Sequence, residues 1–254
     1  LSEQSPYNII PHGDRKTTLV YETILSLESE TEKRGHYAMS SQSKSIPADS
    51  CQSINVESKI FQIKLTGYQG NDIRIRWQDT GVRKVEISET GGRLDIRESD
   101  LVTIYGVLGL IELTRDKELT IEVPQTFAGD IIIHAMGGEL VKLDHIQTSR
   151  LLDIQTKTRM TILNAVKAES IRIETKHSGG IHANNIGCEQ DITLRTAMGA
   201  IICSISEPPK NYSVSCYSRR GRCNVPLTNS IGVKTLNAES VSGNISIQFM
   251  DAKG

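Results

Sequence analysis

The stretches IRIETKHSGGI (residues 171–181) and ITLRTAMGAI (residues 192–201) decide the fold of this 254-residue chain. Each sets two apolar residues one step apart, then a threonine, then a glycine turn, then a further aliphatic residue. The phrase occurs six times, beginning Ile131-Ile132-Ile133, Leu152-Asp153-Ile154, Ile171-Arg172-Ile173, Ile192-Thr193-Leu194, Val214-Ser215-Cys216 and Leu236-Asn237-Ala238. Two residues after each come Ala135, Thr156, Thr175, Thr196, Ser218 and Ser240. The turn follows at Gly137-Gly138, Gly179-Gly180, Gly199, Gly221 and Gly243, with Arg159-Met160 as the one exception, read as a deformed coil. A period of about 20 residues points to stacked repeats, each too small to bury its own apolar face.

Alternation with period two predicts strands, and no segment shows a sustained helical period. The expected fold is all-β, a right-handed parallel β-helix or β-solenoid with coils of about 20 residues in a single elongated domain. One inward column reads Ile131, Leu152, Ile171, Ile192, Val214, Leu236, and the next Ile133, Ile154, Ile173, Leu194, Cys216, Ala238. Past the turn a third is expected at Leu140, Ile162, Ile181, Ile201, Cys223 and Ile245. Outward positions pair opposite charges on neighbouring coils, Asp153 beside Arg172 and Glu174 beside Arg195, as a solvated face does.

Upstream, Phe61-Gln62-Ile63-Lys64-Leu65, Ile73-Arg74-Ile75-Arg76-Trp77 and Leu94-Asp95-Ile96 continue the alternation between turns at Gly67, Gly70-Asn71 and Gly91-Gly92. The sequence therefore divides into 1–50, a polar linker or cap with an edge strand expected at 18–27, and 51–254, the solenoid, regular from 131. The chain opens at Leu1 without a methionine, as a trimmed or processed product would. Because Leu236 to Phe249 is the last coil, its edge is expected either to pair with a second copy, giving a homodimer, or to be covered by an N-terminal strand.

A formal net charge of -1 with mixed signs leaves no polybasic block for nucleic acid. No apolar run is long enough to span a bilayer, so membrane attachment would come only through an anchor preceding Leu1. The five cysteines, Cys51, Cys188, Cys203, Cys216 and Cys223, lack zinc-site spacing. Three of them, Cys203, Cys216 and Cys223, fall on apolar phases as small buried hydrophobes, and a Cys203 to Cys223 bridge between adjacent coils is the disulfide considered.

The glycine pairs open no helix and are followed by no Gly-Lys-Ser/Thr, so they serve turns needing positive φ. His134, His145, His177 and His182 supply no convergent metal set, and the acids Asp144, Asp153, Glu169, Glu174, Glu189 and Asp191 fall at different coil phases. No catalytic residue, metal ligand or cofactor follows from these patterns. The ligand-binding candidates are Tyr217 with Arg219, Arg220 and Arg222, a basic turn suited to an anionic glycan, and the aromatic residues Tyr68 and Trp77, suited to stacking on a sugar.

Leu119-Thr120-Ile121-Glu122-Val123-Pro124, the successive coils of Ile-x-Ile-x-Thr-x-x-Gly-x-Ile, and Ser242-Gly243-Asn244-Ile245-Ser246-Ile247 together resemble the bacterial putative-adhesin family over about Ile46 to Phe249. The resemblance implies a β-helical cell-envelope domain of unknown function, often attached to the membrane by an upstream helix, and transfers no catalytic residue. It implies a non-enzymatic, extracytoplasmic module at the bacterial surface, with a cell-surface glycan or envelope protein as partner. The competing readings are a carbohydrate-active β-helix enzyme, a polysaccharide lyase or hydrolase, and an envelope-stress accessory that binds a membrane partner.

Overall fold

The computed structural model describes residues 40–79, 83–100, 118–137, 140–148, 150–157, 160–225 and 232–250. The chain divides into two units, Leu1–Met39 and Ser40–Gly254. The edge strand expected at 18–27 lies outside the described residues, as does Arg159. Ser40–Pro47, within the stretch read as polar linker, forms a strand.

Alternating aliphatic residues make nearly every segment a strand with one buried face, and the strands form two facing groups. Sheet A runs, in spatial order, β1 (Ser40–Pro47), β4 (Asp72–Asp79), β7 (Glu118–Pro124), β3 (Gln62–Tyr68), β9 (Leu140–Asp144), β11 (Met160–Asn164), the first part of β13 (Ile181–Met198), β14 (Ile201–Ile205), β18 (Ile245–Phe249) and β16 (Cys223–Asn224). Sheet B runs β5 (Arg83–Thr90), β6 (Arg93–Asp100), β2 (Ser53–Ser58), β8 (Asp130–Ala135), β10 (Leu151–Thr156), β12 (Lys167–Ser178), the second part of β13, β17 (Lys234–Ser240) and β15 (Tyr212–Ser218). Because β13 belongs to both, hydrogen bonding joins them into one 18-stranded, mostly parallel system. Among the described residues only β1–β4, β4–β7 and β5–β6 pair antiparallel. Each successive β-β pair of the chain, such as β8–β9 or β10–β11, makes one rung.

The rungs do not stack in chain order. The last rung, β17–β18, lies between β13–β14 and β15–β16, and β2–β3 likewise lies between β6–β7 and β8–β9. Leu236 to Phe249 is therefore interior, and the terminal edge falls on β15–β16, correcting the expectation that the last coil is the exposed one. Sequence phase alone carries no information on this order, since every rung presents the same apolar columns.

The sheet B columns read Leu94, Ile54, Ile131, Leu152, Ile171, Ile192, Leu236, Val214 and Ile96, Val56, Ile133, Ile154, Ile173, Leu194, Ala238, Cys216. All are buried except Val214 and Cys216, which the terminal position leaves half-buried. In sheet A the column expected at Leu140 and Ile162 is instead Leu119, Ile63, Val141, Thr161, Ile181, Ile201, Ile245, Cys223. Val141 and Thr161 are fully buried while Leu140 and Ile162 lie on the outer side. A one-residue slip inverts a strand, and Leu140-Val141 and Ile162-Leu163 each put apolar residues on both faces. Cys223, expected to be buried, is exposed because no rung covers it among the described residues. Met160 continues a regular register with Leu140, so the described part of that coil is not deformed.

The glycine turns prove to be of two kinds. Gly91, Gly92 and Gly179 have positive φ, as expected, whereas Gly137 and Gly180 do not. Gly199, Gly243 and Gly221 instead permit stacking: a Cβ on Gly199 would stand 1.9 Å from the Gly179 carbonyl oxygen, one on Gly243 1.8 Å from that of Gly199, and one on Gly221 2.1 Å from that of Gly243.

Candidate functional site

The hydroxyl ladder closes the corner from sheet B to sheet A. Thr156 Oγ1 donates to Thr175 Oγ1 at 3.1 Å, while Thr196, Ser240 and Ser218 donate to the carbonyls of Gly179, Gly199 and Gly243 at 2.9, 3.3 and 2.7 Å. At the opposite corner, Asn164 donates to Asp144 at 2.7 Å, and Ser204 donates to Asn184 at 2.9 Å. The next residues, His145, Ala165 and Asn185, turn with φ of 54, 51 and 56°. His145 therefore serves as a corner residue, and Asp144 is engaged by Asn164 and by Lys142 at 2.8 Å. Burial works to raise the Asp144 pKa, yet Lys142 and Asn164 hold it below the usual carboxylate range.

Glu98 locks a third corner. Its Oε2 accepts from Ser58 Oγ at 3.0 Å and from the backbone N–H groups of Lys59, Ile60 and Phe61 at 2.8, 2.8 and 3.3 Å. A carboxylate that collects three main-chain donors is a structural anion. Nothing in the repeat pattern announces it, because Glu98 sits on β6 and the corner on a different rung.

A second polar group, also missing from the sequence expectations, joins the inserted rung to its neighbours. Lys234 contacts Glu207 at 2.7 Å and Glu189 at 3.9 Å, donates to the Cys188 carbonyl and lies 6.0 Å from the Tyr212 ring centre. Tyr212 Oη donates to Glu207 at 3.2 Å, and the Cys188 thiol donates to Tyr212 Oη at 3.8 Å. Thiol, lysine and carboxylate together suggest a nucleophile. Cys188 is nevertheless 2% exposed, and burial pushes its thiol up to about 11, which disfavours the thiolate. The group fastens strands.

The binding candidates fall in separate places. Tyr68 lies on the outer side of β3, where its hydroxyl donates to the Asp72 carbonyl and Arg74 stands 4.6 Å from its ring centre. Trp77 is half-buried against the core on the phase of Ile73 and Ile75. The structure does not bring the two rings together. Tyr217, Arg219, Arg220 and Arg222 do share one place, the turn of the terminal rung, with Tyr217 62% exposed and all three arginines exposed. Among the described residues these guanidiniums have no carboxylate partner, whereas Arg76–Glu122, Lys142–Asp144 and Arg195–Glu239 pair at 2.7, 2.8 and 3.1 Å.

A cleft of about 560 Å³ opens where the 3-10 turn Ala48–Ser50 meets Asn71, Asp72, Thr126, Phe127, Ala128 and Arg150. Its size suits a small ligand. Asp49, Gln52, Asn71, Asp72 and Arg150 supply its polar lining, and Phe127 and Cys51 are the buried side of its wall. Four separated segments build it, so no local motif marks it. The acids considered for catalysis remain dispersed over both sheets: Asp153 and Glu174 sit on the outer side of sheet B, Asp144 on sheet A, and Asp191 accepts from Ser170 at 2.7 Å. Among the described residues no three His, Cys, Asp or Glu side chains gather to hold a metal, and no helix is long and apolar enough to cross a membrane.

No curated protein matches the chain. A solved structure of a putative cell adhesion protein from Clostridium sporogenes is similar at 12% identity and a TM-score of 0.53, over 84% of this chain and 100% of that one. A putative adhesin from Bacteroides fragilis aligns at 14% identity and a TM-score of 0.39, over 83% of this chain and 97% of that one. At such identities the first likeness speaks for the fold alone. The model of a family described as Toastrack DUF4097 matches residues 51–252, most of the chain, and the protein belongs to that family.

Proposed function

We propose that the chain is a non-enzymatic, extracytoplasmic β-solenoid, an adhesin-like or structural binding module of the bacterial cell envelope. Parallel rungs joined by short crossovers favour the right-handed coil. The observation that carries the functional reading is the terminal turn, where Tyr217, Arg219, Arg220 and Arg222 stand exposed together and, among the described residues, without carboxylate partners. Guanidiniums in a fixed turn suit the phosphates or carboxylates of an anionic cell-surface polymer, and the adjacent phenol adds a stacking face. A second copy, if the chain dimerises through its solenoid end, meets β15–β16 and not Leu236 to Phe249.

The test is binding of the full chain to a teichoic-type polymer and to a neutral glycan of similar length, with turnover of both followed in parallel. Arg219→Glu with Arg220→Glu should weaken binding to the anionic polymer by about tenfold or more and steepen no loss on the neutral one. Equal affinity of the double variant would remove the turn from the proposal. Sustained cleavage of either polymer would replace a binding module by an enzyme.

A further inference from the structure

The terminal rung departs from the rungs beneath it at two phases, one on each sheet. Rung β13–β14 carries Leu194 and Ile201 there, and rung β17–β18 carries Ala238 and Ile245, all four buried. Rung β15–β16 carries Cys216, in register with Ala238, and Cys223, in register with Ile245. The stacking thus brings two thiols to one level of the last described rung, with only the turn Tyr217 to Arg222 between them in sequence. They interact directly: burial first, then the hydrogen bond and charge of Cys223, push the Cys216 thiol up to about 12.

Access separates this pair from the other cysteines. Cys223 is exposed and Cys216 half-buried, whereas Cys51, Cys188 and Cys203 are buried. A Cys203 to Cys223 bridge, the one considered from spacing, is out of reach, because β18 lies between β14 and β16. Two strand spacings come to about 9–10 Å, beyond the Cα separation of about 7 Å that a disulfide tolerates.

We propose that Cys216 and Cys223 are a modification site that takes up a disulfide, tying sheet B to sheet A at the terminal rung, with a low-molecular-weight disulfide such as oxidised glutathione as the oxidant. The exposed Cys223 sulfur, as thiolate, attacks one sulfur of the oxidant and releases one thiolate, which takes up the proton Cys223 gave to solvent. The Cys216 sulfur, on losing its proton, then attacks Cys223 Sγ in the mixed disulfide and expels the second small thiol. Both protein thiols are oxidised, one small disulfide is reduced to two thiols, and one new S–S bond remains in the protein. The closed loop contains Arg219, Arg220 and Arg222, so the bridge fixes the geometry of the basic turn, but it stands whether or not that turn binds an anion.

The reduced full chain is treated with oxidised glutathione without denaturant, then examined by intact mass, thiol alkylation and peptide mapping. The expected product has lost two hydrogens and two alkylatable thiols and yields a linked peptide joining Cys216 to Cys223. In Cys216→Ser the glutathione adduct should persist on Cys223 because no second sulfur can displace it. Cys223→Ser changes an exposed residue only, so its circular dichroism should match the parent while the linked peptide disappears. A stable glutathione adduct at Cys223 in the unaltered chain, no loss of thiols, or a linked peptide joining any other pair would overturn the proposal.

Discussion

Two residues of the repeat carry opposite mismatches between side chain and backbone. Ala165 holds φ at 51° in the corner after Asn164, where an L residue with a Cβ is strained. Ala165→Gly should raise stability by up to about 1 kcal/mol, the relief of strain exceeding the added unfolded-state entropy. Gly243 has no such φ, yet a Cβ would lie 1.8 Å from the Gly199 carbonyl oxygen of the neighbouring rung. Gly243→Ala should cost about 1–3 kcal/mol by forcing two rungs apart. Urea denaturation of both variants checks the pair, and a destabilised Ala165→Gly or a neutral Gly243→Ala would contradict the account. The periodic glycines were legible as turns, but their purpose was not. A sequence distinguishes neither a residue needed for φ from one needed for close approach, nor Val141 from Leu140 as the inward member of an apolar pair. The Asp144 and Asn164 corner was equally hidden, because its signal is the residue that follows, and that position accepts histidine, alanine or asparagine alike.

At the level of elements, the inserted strand β17 is fastened by Lys234, and this bond has a pH signature. Burial works to raise the Glu207 pKa, but hydrogen bonds from Lys234, Asn211 and Tyr212 and the Lys234 charge bring it below its ordinary 4.5. Burial works to lower the Lys234 pKa, but the hydrogen bond and charge of Glu207, then Glu189 and Cys188, raise it above 10.5. A depressed carboxyl adds stability above its unfolded pKa and loses it as pH falls through the folded value; a raised lysine adds stability below its unfolded pKa and loses it as pH rises through the folded value. The contribution therefore spans neutral pH and fades at both extremes. Lys234→Met should cost about 1–3 kcal/mol at pH 7, with the difference from the parent shrinking in acid as pH falls through the lowered Glu207 pKa and the carboxyl is protonated in both proteins. A difference that stays constant into acid would show that the loss is one of packing. The strands themselves and most of their inward faces could be read from alternation. Their spatial order could not, since Leu194, Ala238 and Cys216 occupy one interchangeable phase. The connection that skips a rung is the one from Ile205 to Tyr212, which leads from β14 past the inserted rung to β15.

Across the whole unit, stability depends on how many neighbours each rung has. In a stack where each rung touches only the next, an interior rung is held from two sides and a terminal one from a single side. One end is formed by the antiparallel strands β1 and β5, each paired on one side among the described residues. At the other, β15 pairs only with β17 among the described residues, and its Val214 and Cys216 remain half-buried. Local opening should follow that gradient. Amide hydrogen exchange should find Ile171–Thr175 and Ile192–Thr196 slowest, Leu236–Ser240 close behind because that strand is interior, and Val214–Ser218 fastest of the four. Chain order alone would instead make Leu236–Ser240 the least protected segment, so the ranking of these two strands decides between the swapped stack and a sequential one. Pairing of β15 with a second copy would add protection to Val214–Ser218 that grows with protein concentration. Oxidation of Cys216 and Cys223 would add protection there at every concentration. The two contributions separate on dilution of the oxidised and reduced chains, because a disulfide within one molecule is indifferent to how many others surround it.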